Sequence, residues 1–455
     1  MFKKQTSFTL NDETKTLIIG TAIQNNIVGK VFEGLNIDAS ALEGSHTKTL
    51  HTLGKLPSKK VVLIDEQALN DHKKRPELIN GLGVFKEDAI VLLDAFDEAN
   101  MELLGEAIGL SQYTFDEFKT KKTEKGTVYY HTASDAAAFE NGLVMADATN
   151  FTKDLVNRPY NALNAEKLGD IAKELESIDN VSVKVLGKKD IEKMKMGAFL
   201  GVNKGSTDEP KLIHVTYEGD ASNQEKTALV GKGIMFDTGG YSLKGVQSMP
   251  SMKMDMGGAA SVLGAIKAAA TLGYKANISA IVAATDNRIG DDAILPDDIL
   301  TSANGKTIEI ISTDAEGRLT LADALWYAQQ EGATRIVDIA TLTGSVIGAL
   351  GDTITGAFSN HSEFYQTFEK TANEAGELVW RLPIGDEHRK SIETPFADIK
   401  NSGGRKGGAS IAAAFLEHFV DEKTPWIHLD IAGTAFDSTQ GAKGPMVKTM
   451  AKLFE

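Results

Sequence analysis

Three short segments hold most of the residues in this sequence that could do chemistry. They are Leu229–Lys244 (LVGKGIMFDTGGYSLK), Met252–Gly258 (MKMDMGG) and Ser312–Leu319 (STDAEGRL). Together they supply Lys232, Asp237, Lys244, Asp255, Asp314, Glu316 and Arg318. Asp314, Glu316 and Arg318 are spaced two apart, so on an extended chain they project from one side. A D-x-E-x-R row is ordinarily a surface salt-bridge row. Here it follows an apolar run, and the small Ala315 and Gly317 between its charges allow close approach. None of the nine histidines falls in these segments. A site of Asp and Glu oxygens suits Mg, Mn or, less typically, Zn. Four carboxylates packed together cannot all stay ionised, and two divalent cations would balance Asp237, Asp255, Asp314 and Glu316.

Other chemistries that these segments suggest fail on spacing. Asp237-Thr238-Gly239 matches the tripeptide of aspartic proteases, which need two such aspartates sharing a proton. The only other similar stretch, Phe436–Thr439, lacks the glycine. Gly305-Lys306-Thr307 resembles the end of a phosphate-binding loop, but the glycine required five positions earlier is Leu300. Gly231-x-Gly233 begins a dinucleotide fingerprint whose third glycine position is Phe236.

The elements that must position these residues read as α/β. From about residue 160, strands are expected at Ala228–Ile234, Ile278–Ala284, Thr307–Ile311, Ile336–Ala340 and Trp426–Ile431. Helices are expected at Ala259–Leu272, Leu319–Gln330 and Ile411–Val420. That alternation argues for a central, mostly parallel sheet with catalytic groups on loops at the carboxyl ends of its strands. Residues 1–132 read as a separate α/β domain with short strands such as Lys60–Ile64 and Ala89–Leu93. A long amphipathic helix over 133–158, ending before Asn157-Arg158-Pro159, is taken as the connector. The catalytic domain is then 159–455.

The bulk properties narrow the class. There are no cysteines among the 455 residues, which removes disulfides, thiolate zinc sites and cysteine nucleophiles. Lys3 and Lys4 sit where a signal peptide has its basic region, but no apolar run follows. The longest apolar stretch, 259–284, is interrupted by Lys267 and Lys275 and does not read as a membrane span. The expectation is a cytoplasmic protein with no membrane contact. A net charge of -15 argues against nucleic acid as a main partner.

The three segments closely resemble those of the leucyl (cytosol) aminopeptidase family. Ser312–Leu319 matches seven of eight positions of the signature N-T-D-A-E-G-R-L. Gly231–Lys244 and Asp255–Ala260 are similar to the family's other active-site segments. Ala340–Gly344, the glycine-rich Asn401–Gly404 and His428–Gly433 match further stretches. The likeness runs from about residue 150 to the end; over residues 1–150 little is recognisable, as is usual for the family's variable N-terminal domain.

The resemblance implies an aminopeptidase that removes the N-terminal residue of peptides with a water activated by two divalent ions (Mn, Zn, Mg or Co). It implies that Asp237 and Glu316 bridge the two ions. Lys232 and Asp255 would complete the tighter site, and Asp314 the more exchangeable one. Lys244 would be the catalytic lysine, and Arg318 a catalytic arginine that holds bicarbonate. Met252, Thr341 and Gly344 would line the pocket for the first side chain. The substrate would need a free N-terminus, and the assembly would be a homohexamer. The alternative weighed against this is a non-enzymatic or DNA-binding role on the same fold, which the complete residue set opposes. Departures from the family are Ser312 for Asn, Thr238 where Ser is common, Gly245 for Pro, and Thr285–Asp291 for an E-N-M-P run. They suggest a peptidase-B-like branch.

Overall fold

The longest apolar run around the expected site, KTALVGKGIMFD, becomes the strand Lys226–Asp237, buried along almost its whole length. A strand buried on both faces must lie inside a sheet covered on both sides, which is the setting of parallel strands. The computed structural model describes residues 1–21, 25–42, 45–404 and 406–455. The chain divides into two compact units, Met1–Asn150 and Phe151–Glu455, and the boundary falls within the helix Ala137–Asn157.

The first unit contains a six-stranded sheet in the order Phe2–Lys4, Val128–His131, Ala89–Leu92, Thr16–Ile19, Lys60–Ile64, Thr47–His51. All neighbours pair in parallel except the last, Thr47–His51, which is antiparallel. Its central runs (TLII, VVLI, AIVL) are buried on both faces and form the core with Val28, Phe32, Leu104 and Ile108.

The second unit is built on an eight-stranded sheet. Its order is Val379–Arg381, Thr355–Ser359, Trp426–Asp430, Arg335–Ala340, Lys226–Asp237, Asn277–Asn287, Lys211–Glu218, Val181–Leu186. The middle four strands are parallel. Antiparallel pairings begin at Thr355–Ser359 on one side and at Lys211–Glu218 on the other. The architecture is therefore α/β with a mostly parallel centre. The carboxyl ends of the middle strands bring Asp237, Asn287, Ala340 and Asp430 to one edge of the sheet.

Glycines let the Gly257–Thr271 helix lie hard against this sheet. A Cβ at Gly258 would stand 2.0 Å from the Ile339 carbonyl oxygen, and one at Gly231 would meet the Gly258 carbonyl oxygen at 2.6 Å. Close backbone approach of this kind is what glycine in an element interior permits.

One expected strand takes a different place. Thr307–Glu309 does not join the main sheet. It forms a three-stranded sheet with Ile299–Thr301 and Ile399–Lys400. A strand so short has little surface to bury in a central position; it serves instead to bring residues near 400 beside the Ser312–Leu319 segment.

Candidate active site

Lys232 lies in the middle of the Lys226–Asp237 strand, not on a loop, and is almost fully buried. Its Nζ stands 2.7 Å from Asp255 Oδ1 and 3.0 Å from Glu316 Oε1, and donates to the Thr341 carbonyl oxygen at 3.0 Å. Thr341 Oγ1 donates to the same Asp255 oxygen at 2.8 Å. An unpaired buried ammonium would cost several kcal/mol, so the two carboxylates are required as much as they are available. Gly317 makes room for the lysine: a Cβ there would lie 2.3 Å from Lys232 Cε and 2.6 Å from its Nζ.

Asp237 is five residues beyond Lys232, which on a regular strand would place the two on opposite faces. A bulge corrects this. Ile234 pairs with Thr285 but Asp237 pairs with Asn287, so one extra residue is inserted on the Lys226–Asp237 strand. The extra residue restores a common face. Asp237 Oδ1 then accepts from Gly239 N–H and from Asn287 Nδ2, each at 2.8 Å. Its Oδ2 pairs with Lys244 Nζ at 2.7 Å, and Lys244 also reaches Asp314 Oδ1 at 2.6 Å.

The loop that returns Lys244 to Asp237 depends on Gly239 (φ 84°) and Gly240 (φ 62°). A Cβ on Gly239 would also press on the Ser242 carbonyl oxygen at 2.5 Å and on Asp314 Oδ1 at 2.9 Å. Thr313 closes the loop: its Oγ1 donates to Gly239 O at 2.6 Å and accepts from Ser242 N–H at 2.7 Å.

The Ser312–Leu319 segment is not extended. It is a turn, followed at Gly317 by the helix Gly317–Gln330. Asp314 and Glu316 face different lysines, and Arg318 sits in the first helical turn. The shared-side reading of the D-x-E-x-R row is thus corrected. The three residues converge because the turn folds them around one cavity.

Burial pushes Asp255, Glu316 and Asp314 above the usual carboxylate range, and neighbouring carboxylates push the same way. Burial disfavours charge on Lys232 and Lys244 too, but the attraction of Asp255, Glu316 and Asp237 outweighs it and holds both lysines above their ordinary value. With no metal bound, Lys232 and Lys244 lie against all four carboxylates as counter-charges. Asp255 Oδ2 and Glu316 Oε2 are buried without any hydrogen-bond partner. One oxygen each from Asp237, Asp255 and Glu316 lies within 4.8 Å of the others. Buried carboxylate oxygens that are convergent and unsatisfied need a cation. The residues fit a divalent metal.

Arg318 is also buried. Burial pulls its guanidinium down to about 10, which leaves it charged at neutral pH, with Glu316 and Asp430 supporting the charge. Its Nη1 donates to the Asn401 carbonyl oxygen at 2.7 Å, while its Nε is buried without a hydrogen-bond partner. A free N–H on a guanidinium fork suits a planar oxyanion.

All the residues singled out from sequence line one cavity of about 410 Å³: Lys232, Asp237, Lys244, Asp255, Asp314, Glu316 and Arg318, with Met252, Thr341 and Gly344. Sequence reasoning missed the groups that hold them. Asn287 and Thr313 brace Asp237 and its loop. Asp430, at the end of the Trp426–Asp430 strand, accepts from Leu342 N–H (3.1 Å), Thr343 Oγ1 (2.7 Å) and Ala432 N–H (3.2 Å), all on residues of the cavity wall. Behind Asp430, Asp338 accepts from Trp426 Nε1 and pairs with His428 Nδ1, both at 2.6 Å. The only signal for Asp430 and Asn401 was that each stands in a family-like stretch.

Residues 150–451 match the model of the cytosol aminopeptidase family, catalytic domain. The chain is also similar to a solved structure of a tomato leucine aminopeptidase variant, with 27% identity and a TM-score of 0.86, over 100% of this chain and 96% of that one. With its carboxylate and lysine cluster in place, the chain belongs to the cytosol aminopeptidase family and is a metal-dependent aminopeptidase, a hydrolase acting on peptides.

Proposed function

We propose that the cavity holds two divalent ions, with Asp237 and Glu316 between them, Lys232 and Asp255 on the buried side and Asp314 on the open side. The approach of one oxygen each from Asp237, Asp255 and Glu316, together with the buried, unpartnered Asp255 Oδ2 and Glu316 Oε2, carries this reading. Bound there, the ions would lower the pKa of a water and polarise the scissile carbonyl. Manganese, zinc, magnesium and cobalt all suit such donors in differing degree.

The residues of the chain do the rest. Lys244, held as an ammonium by Asp237 and Asp314, is placed to stabilise the oxyanion that develops on the carbonyl. Arg318 presents its free Nε–H to a bicarbonate ion, which would supply the proton acceptor that the engaged carboxylates cannot. Met252, Thr341 and Gly344 receive the first side chain. The substrate's free amine would ligate one of the ions, which limits cleavage to one residue from the N-terminus. In this reading residues 1–132 form a separate domain, the helix over 133–158 connects it, and 159–455 is catalytic. A homohexamer and a cytoplasmic location are part of this reading, supported by the resemblance to the family; no helix among the described residues is long and apolar enough to cross a membrane.

Two measurements test the proposal. Exhaustive chelation should abolish hydrolysis of an unblocked peptide, and Mn, Co, Zn or Mg should restore it; full activity in a verified metal-free sample rejects the metal site. An N-acetylated peptide should not be cut, and equal rates on blocked and free peptides would reject the amine-binding role.

A further inference from the structure

The geometry points to Asn401 as the positioning residue for the whole Ser312–Arg318 segment, an assignment that rests on the metallopeptidase reading above. Asn401 follows the short strand Ile399–Lys400, which pairs in parallel with Thr307–Glu309 through Ile308↔Ile399 and Glu309↔Lys400. Its own N–H continues that ladder to the Glu309 carbonyl oxygen at 2.9 Å. The small sheet thereby sets Asn401 beside the chain that leaves Glu309 for the active site.

Asn401 is fully buried, and every hydrogen-bonding atom of its side chain faces that chain. Its Oδ1 accepts from Ile311 N–H at 2.8 Å and Ser312 N–H at 3.3 Å. Its Nδ2 donates to the Ser312 carbonyl oxygen at 2.7 Å and the Ala315 carbonyl oxygen at 3.3 Å. Its backbone carbonyl accepts from Arg318 Nη1 at 2.7 Å. A stretch without regular structure has no ladder of its own to satisfy its buried backbone groups. One planar amide, with an acceptor and two donors, does this on both sides of Ser312.

Asp314 and Glu316 leave this stretch toward different lysines, and Arg318 begins the next helix. The amide therefore sets the separation of two proposed metal ligands, and the backbone of the same residue sets the guanidinium. The side chain is not part of the cavity wall, although Ser402 next to it is. Asn401 thus acts through others. Aspartate could replace only the acceptor half of this arrangement, and serine is too short to reach both ends.

The test compares Asn401→Ala and Asn401→Asp with a control, Asn203→Ala, in the full chain. Asn203 is also buried and donates to the Asp208 carbonyl oxygen at 2.8 Å and to Thr285 Oγ1 at 3.0 Å, away from the cavity. Melting temperature, kcat and KM on an unblocked peptide, and Mn²⁺ affinity of chelator-treated protein by calorimetry are measured for each. Both Asn401 variants should lose about 10–100-fold in kcat and about tenfold in Mn²⁺ affinity with KM within about threefold, as for groups that orient metal ligands. Aspartate should lose less than alanine. Asn203→Ala should lower the melting temperature without moving kcat. If Asn401→Ala does not fold, Asn401→Asp decides by the same criteria. A folded Asn401 variant with kcat and Mn²⁺ affinity near wild type overturns the assignment. So does a control that loses as much kcat as Asn401→Ala. Wild-type activity without metal would instead overturn the metallopeptidase reading itself.

Discussion

The two ends of the site use the same chemistry, a lysine between two carboxylates, on very different supports. At one end Lys232, Asp255 and Glu316 come from the middle of a central strand, a short helical turn and the start of a helix, and all are at most 4% exposed. At the other end Lys244 and Asp314 stand on loops, and the Asp314 side chain is 37% exposed. Only Asp237 at that end is buried in the sheet. One half of the cluster is therefore part of the fold, and the other half is laid over it on loops. A cation held at the buried end should leave slowly, and one held at the open end should exchange.

Substitutions at the two ends should separate them, and the largest effect is expected at Lys232. An arginine there brings a permanent cation to a position where a metal ligand must offer a lone pair. Lys232→Arg should lose the buried ion and more than about 10³-fold in kcat, beyond the loss of a single oxyanion donor. Metal content per chain, read beside kcat, checks this. Wild-type metal content would show that Lys232 is only a counter-ion to Asp255 and Glu316.

Lys244→Arg should keep both ions and lose about 10²–10³-fold in kcat, because charge survives while its placement against the oxyanion changes. If this variant loses metal and Lys232→Arg does not, the two ends have been assigned the wrong way round. Asp314→Asn should weaken only the exchangeable ion, by about 10–100-fold. A titration of activity with Mn²⁺ should then need more metal to reach an unchanged maximum rate. A fall in the maximum with no change in the metal requirement would place Asp314 outside the coordination sphere.

The smallest effect is expected from Thr341→Val, which removes the hydroxyl bonded to Asp255 Oδ1 and keeps the volume. A hydrogen bond to a charged group contributes about 1.5–3 kcal/mol, so metal affinity at the buried end should fall by roughly tenfold to a hundredfold, toward the low end because Lys232 remains. Calorimetry on chelator-treated protein measures it. An unchanged affinity would mean that Lys232 alone orients Asp255.

Much of this site could be read in the order of the residues. Acidic and basic residues among small ones, next to apolar runs, pointed to seven side chains that the structure brings to one cavity, and the alternation of runs pointed to the α/β frame. The structure extended the expected strand Ala228–Ile234 to Lys226–Asp237, and the expected helix Leu319–Gln330 began at Gly317. Those shifts matter because Asp237 became a strand residue and Glu316 the residue before a helix. Composition counts carboxylates without saying which ammonium groups lie within reach of them, so the charge balance could be settled only in three dimensions.

Local sequence determined what is local: which runs are apolar enough to be buried, where glycine allows the Gly239–Gly240 turn, and which side chains can bind a cation or stabilise an anion. Three things were decided only by tertiary structure. The bulge between Ile234 and Asp237 shows itself only against the register of Asn277–Asn287, since an extra residue is defined by its partner strand. The need for Gly317 comes from Lys232, which is far from it in the chain and 2.3 Å from the Cβ it would carry. Asn401 reaches Ser312 because a separate small sheet sets the two side by side. Each is a contact between segments distant in sequence, and hydrophobic periodicity, which reports only on the face an element buries, carries no record of the partner it will meet.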